Sequence, residues 1–115
     1  MKDDYLRRAI VVRVVDGDTI DVDVDLGFKI TTHQRLRLAR IDAPEVRGKE
    51  RPEGLKAKNF VESMLNMNGD GLIYIQTFKS GKYGRYIAEV WFRDAGKWHN
   101  LSDTMMDAGM AEPYK

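Results

Sequence analysis

From Asp18 to Leu26 the chain alternates without a break, with Ile20, Val22 and Val24 on one side and Asp21, Asp23 and Asp25 on the other. Successive side chains of a strand point to opposite faces, so this run reads as a strand with one face for a core and one for water. A run of β-branched residues, Ala9 to Val15, precedes it across the Asp16-Gly17 turn signal, and a third strand runs from Phe28 to about Ile41 after a turn at Gly27. The three make an antiparallel meander. Asp18 has the parity of Ile20 and Val22, which sets it at the end of the apolar face.

Pro44 removes a ladder donor and ends the third strand, and the stretch from Glu45 to Gly54 is almost wholly polar, which predicts a mobile loop. Leu55, Ala57, Phe60, Val61, Met64 and Leu65 fall at helical spacing, with Asn66, Asn68 and Gly69 as stop signals. Strands are expected over Gly71 to Phe78 and Arg85 to Phe92, joined by a polar turn from Lys79 to Gly84. The turn at Asp94-Ala95-Gly96 returns the chain through Trp98. Asn100 or Ser102 then caps a short helix that runs to about Ala108 and stops at Gly109. The pattern is mainly β with helices, an α+β chain, and it fits a five-stranded OB-fold barrel packed by two helices in a single domain over residues 1–115. A split α+β sandwich satisfies the same pattern. At 115 residues the chain buries roughly 65% of its unfolded surface, a sufficient core without staples.

Staples are absent in any case, because there is no cysteine, and two histidines, His33 and His99, are too few for a histidine-built metal site. A metal here must be held by oxygen, which selects calcium, magnesium or manganese. A net charge of +1 from 19 basic and 18 acidic residues excludes coating nucleic acid by bulk charge, so phosphate affinity has to be local. No run of 18 apolar residues is present to cross a membrane, and the N-terminus lacks the apolar core of a signal peptide. The sequence as it stands reads as cytoplasmic, or as secreted if a leader has been removed ahead of Met1.

Three short motifs carry chemistry. Asp16-Gly17-Asp18-Thr19 taken alone is a hairpin turn, and Asp42-Ala43-Pro44-Glu45 taken alone is a strand exit. Yet Asp18 begins one strand and Asp42 ends another, which brings two carboxylates to one rim of a barrel, where both could serve one ion. Arg35 and Arg37 alternate with apolar residues, as a solvated arginine face would, although arginine is also the side chain suited to bidentate phosphate contact. Lys82-Tyr83-Gly84-Arg85 is a basic turn with an aromatic, compatible with holding a nucleotide by charge and stacking. Cutting a phosphodiester needs a hard cation, positive donors for the growing negative charge and a group that handles water. Asp18, Asp42, Arg37, Arg85 and Glu45 could supply them.

The remaining candidates read as structure. Asp21, Asp23 and Asp25 lack the glycine and distal glutamate of a calcium loop and are expected as a solvated strand face. Met64, Met67, Met105, Met106 and Met110 are expected to fill the core, Trp91 and Trp98 to anchor packing, and the histidines to have no role.

Taken in order, these motifs resemble the staphylococcal nuclease (thermonuclease) family from about Val12 to Ala111. The resemblance implies an OB-fold barrel and calcium-dependent endonucleolytic cleavage of DNA and RNA that leaves 3′-phosphates. Position by position, Asp18 and Asp42 match the calcium-binding aspartates, and Ala43 matches the residue whose backbone carbonyl completes the protein ligands. Many members have threonine there. Arg37 and Arg85 match the phosphate-binding arginines, Glu45 the general base or water-orienting group, and Lys82 and Tyr83 the nucleotide pocket. DNA and RNA are the implied partners of a monomer, with single-stranded or A·T-rich substrate preferred. Members commonly continue into a third helix and carry a pair of tyrosines near this end, where this chain offers Tyr114; a different closing arrangement is therefore expected. The rival reading is an OB-fold module that binds nucleic acid or protein without chemistry, but such domains lack the catalytic acids and arginines retained here.

Overall fold

The computed structural model describes residues 6–65, 71–78 and 86–114. Strands β1 (Arg7–Asp16), β2 (Thr19–Asp25) and β3 (Thr31–Leu38) form the expected antiparallel meander, in which Ile20 faces Leu36 and Thr19 faces Arg37. Two register shifts, between Val11 and Arg13 and between Val14 and Asp16, curl β1. Such bulges sharpen the twist of a strand and help a sheet close. Strands β5 (Leu72–Phe78) and β6 (Tyr86–Asp94) pair antiparallel, β5 pairs back on β1, and β6 pairs parallel to β3 through Leu36–Tyr86, Arg37–Ile87 and Leu38–Ala88. That last pairing closes a five-stranded barrel with the OB-fold arrangement.

Helix α1 (Arg51–Leu65) and helix α2 (Leu101–Asp107) pack on this barrel. Ile20, Val22, Leu36, Leu38, Ile73, Ile75 and Val90 fill its interior with Val61 of α1 and Leu101 and Met105 of α2. Asn100, at the end of strand β7 (Lys97–Asn100), caps α2 by accepting a hydrogen bond from the Asp103 backbone N–H at 3.0 Å.

Several expectations shift. The third strand does not run on to Ile41. It breaks at Ala39 and Arg40, where Arg40 takes φ +68, and a separate short strand, β4 (Ile41–Asp42), pairs with β8 (Glu112–Pro113). The polar stretch after Pro44 takes helical structure from Gly48 onward, as one 3-10 turn over Gly48–Glu50 and then α1, which starts four residues before Leu55. Pro52 is tolerated in the first turn because an N–H there would have no partner inside the helix. Asp21 is not solvated. It is buried and takes a bidentate ion pair from Arg35, at 2.7 and 3.1 Å, which holds the carboxyl below the ordinary carboxylate range and the guanidinium above its own. Across the same strands His33 Nδ1 lies 3.0 Å from Asp23 Oδ1, a structural contact made by a residue expected to carry no functional role. Trp98 is partly exposed and packs edge-on to Tyr74. Met105 is buried and Met64, Met106 and Met110 pack against the core, while Met67 lies outside the described residues.

Candidate functional site

The site is assembled where β1 turns into β2. Gly17 makes the assembly possible, since a Cβ there would stand 2.8 Å from the Ala57 Cβ of α1 and 3.0 Å from the Ala43 Cβ. Helix, turn and the loop after β4 therefore meet at one point. Asp18 is buried at this point, with its backbone carbonyl accepting from Leu38 N–H at 2.8 Å. Its Oδ1 accepts from the Thr19 hydroxyl at 3.1 Å and its Oδ2 from the Ala43 backbone N–H at 3.0 Å. Each oxygen keeps a further lone pair for another partner.

Arg37, opposite Thr19 in the ladder, reaches back over the rim. Its Nη1 donates to the Ile41 carbonyl at 3.1 Å and more weakly to the Leu38 carbonyl at 3.4 Å. Its Nη2 stands 3.6 Å from Asp18 Oδ2 and 3.5 Å from Asp42 Oδ1. One positive group is thus shared between two carboxylates, one nearly buried and the other 65% exposed. The Tyr114 ring lies under the guanidinium, 4.8 Å from centroid to Cζ, and the Tyr114 N–H donates to the Arg40 carbonyl.

Asp42 also lines a cleft of about 350 Å³ whose walls are residues 42–45 and 109–112. Glu45 opens into this cleft, exposed, and among the described residues its carboxylate has no ion-pair partner. A carboxylate left uncommitted in this way is able to accept a proton from water. Asp18, Arg37, Asp42, Ala43 and Glu45 therefore share one rim. Lys82, Tyr83 and Arg85 lie outside the described residues.

The donor set suits a hard cation. Asp18 and Asp42 direct carboxylate oxygens toward a common positive group, and all the ligands on offer are oxygen. Among the described residues no three His, Asp or Glu side chains converge, so two carboxylates would leave the remaining positions to backbone carbonyl and water. Calcium accepts that irregular set more readily than magnesium, which demands a near-ideal octahedron.

Three contributors escape sequence pattern: Tyr114 beneath Arg37, Gly17 as a packing point, and Asp16, whose Oδ1 accepts from Val46 N–H at 3.4 Å. The Asp-Gly turn signal pointed toward Asp16 and Gly17, and the family resemblance toward Tyr114, though not toward its place beneath Arg37.

The family model described as staphylococcal nuclease homologue matches residues 35–115, more than half of the chain. The chain belongs to the staphylococcal nuclease family. Its family relatives include a thermonuclease of Staphylococcus intermedius, 38% identical over 88 residues that cover 74% of this chain and 49% of that protein. An uncharacterized endonuclease of Escherichia coli is 32% identical over 105 residues, 91% of this chain and 60% of the other. An uncharacterized protein of Methanocaldococcus jannaschii is 27% identical, with 90% and 58% covered. The chain thus spans about half to three fifths of the length of these relatives.

Proposed function

We propose that this chain is a calcium-dependent, sugar-nonspecific endonuclease that hydrolyses DNA and RNA phosphodiesters and leaves 3′-phosphates. The observation that carries the reading is the convergence of Asp18 and Asp42 on the Arg37 guanidinium at one barrel rim, beside Glu45, whose carboxylate has no ion-pair partner among the described residues. The nuclease likeness of the relatives supports it. Asp18, Asp42 and the Ala43 carbonyl would hold calcium, which supplies Lewis acidity at a phosphate oxygen. Arg37 binds the phosphate and neutralises charge as the pentacoordinate transition state develops, assisted by Arg85. Glu45 takes or directs the proton of the attacking water. Lys82 and Tyr83 would bind the nucleotide, and single-stranded or A·T-rich substrate would be favoured because a stacked duplex hides both faces of the base.

The test is plasmid nicking and oligonucleotide cleavage with calcium, then with chelator, for the parent and Glu45→Gln. Cleavage that needs calcium and falls by roughly two to four powers of ten in the variant is expected, with nucleotide affinity nearly unchanged. A parent that binds oligonucleotide but leaves it whole, and a variant that behaves identically, would replace this reading with that of a binding module.

A further inference from the structure

Glycine in a helix interior is normally a cost, since it has the most backbone freedom to lose. Helix α1 nevertheless carries Gly54 as its fourth residue, buried. The reason lies across the contact. A Cβ on Gly54 would collide with the carbonyl oxygen and carbon of Glu45 and stand 2.7 Å from the Val46 nitrogen. The Glu45–Val46 peptide therefore lies directly on the bare helix backbone. The contact involves main chain on both sides, so no side-chain rotation would relieve a bulkier residue.

Val46, which completes this peptide, is held at both of its backbone polar groups. Val46 N–H donates to Asp16 Oδ1 at 3.4 Å, and the Val46 carbonyl accepts from Arg51 Nη1 at 3.0 Å. Asp16 belongs to the turn that presents Asp18, and Arg51 is the first residue of α1. Contact from below and hydrogen bonds from either side locate the Glu45 backbone relative to both the helix and the Asp18 turn. Glu45 has no side-chain partner among the described residues, so its carboxylate is placed by this backbone.

We propose that Gly54 is a positioning residue for Glu45, and that glycine is kept in α1 because only a bare backbone lets the Glu45 peptide sit close enough to aim its carboxylate at the site. The inference rests on the nuclease reading for its consequence in catalysis, though not for the geometry. Misplacing a reacting group by about 1 Å costs on the order of a hundredfold in rate.

The experiment compares the parent, Gly54→Ala, Glu45→Gln and the double variant. Gly54→Ala is expected to lower kcat by about a hundredfold with KM within about threefold, and to have almost no further effect in the Glu45→Gln background, because groups acting as one unit are not additive. Hydrogen exchange at the Val46 amide supplies a readout independent of cleavage, and it should speed at least tenfold in Gly54→Ala at unchanged global protection. Arg51→Met, which leaves the helix backbone untouched, should give a smaller loss of kcat that likewise vanishes in the Glu45→Gln background; it serves if Gly54→Ala fails to fold. An undiminished loss in that background, or an unchanged Val46 exchange rate, overturns the proposal. A parent inactive with calcium overturns the nuclease reading instead, and the exchange rate still decides whether Gly54 places the peptide.

Discussion

Arg37 is held by main-chain carbonyls on one nitrogen, by two carboxylates near the other and by an aromatic face beneath. Each of these contacts uses the flat, forked shape of the guanidinium, so charge alone cannot replace it. Arg37→Lys should therefore leave the fold intact, since the residue sits at the rim, while turnover falls by roughly two to three powers of ten, the range for losing one preorganised donor. Steady-state kinetics beside a thermal melt would check this, and an unchanged kcat would remove Arg37 from the mechanism. Asp21 makes a different kind of pair. Arg35 depresses its pKa in the folded state, so the stabilisation is complete above the unfolded carboxylate value of about 4 and is lost as pH falls through the lower folded value. Because Arg35 is half exposed, the pair is worth no more than about 1 kcal/mol. Urea melts of the parent and Asp21→Asn should differ most near pH 6 to 7 and converge toward pH 3; a gap that widens in acid would reverse the assigned sign.

At the scale of elements, the decisive break is the one between β3 and β4. Arg40 sits at φ +68, a conformation that costs a residue with a Cβ roughly 1 kcal/mol or more. Its side chain compensates by binding Glu89 bidentately, Asp103 at 2.8 Å and Asn100 at 3.1 Å, tying β6 and the start of α2 to the turn. The Ser102 hydroxyl donates to the Ala39 carbonyl at 2.7 Å and completes the clamp. The turn in turn delivers Asp42 to the site. Arg40→Ala should destabilise by about 2 kcal/mol, since Glu89 is nearly buried and would lose its ion-pair partner, and calcium affinity should weaken as Asp42 loses its anchor. Denaturant melts and calcium titration check the two halves separately. Alternation made the meander legible from Ile20 to Val24 because the period of a strand is visible in local sequence. The Arg40 turn was not, because its stability comes from residues 49 to 63 positions away. The start of α1 was hidden for a related reason: Gly54 looks like a loop residue until the Glu45 peptide packed against it is seen.

Across the whole molecule, the parallel β3–β6 pair converts a meander and a hairpin into a closed barrel and sets Arg37 beside Ile87. That Asp18 and Asp42 meet at one rim was legible because each stands at a strand end within a short motif; the pattern did not show Arg37 between them, and Tyr114 reaches Arg37 through the chain that follows the β4–β8 pairing. The net charge of the whole molecule is only +1, so phosphate affinity has to come from a few basic side chains. That balance leads to a prediction about binding. Each phosphate neutralised by a basic side chain releases counterions, and for single strands the logarithm of the binding constant falls by roughly 0.7 per phosphate for each unit of log salt. If Arg37, Arg85 and Lys82 make the phosphate contacts, about three are engaged and the slope should be about −2. The measurement is oligonucleotide binding to Glu45→Gln at fixed calcium with potassium chloride varied, which removes cleavage without touching these contacts. Arg37→Lys in the same background should weaken binding while nearly preserving the slope, because the charge remains, and Arg37→Met should reduce the slope by about 0.7. A slope steeper than about −4 would mean that nucleic acid is held over a broad basic surface, and phosphate recognition would no longer be local to the barrel rim.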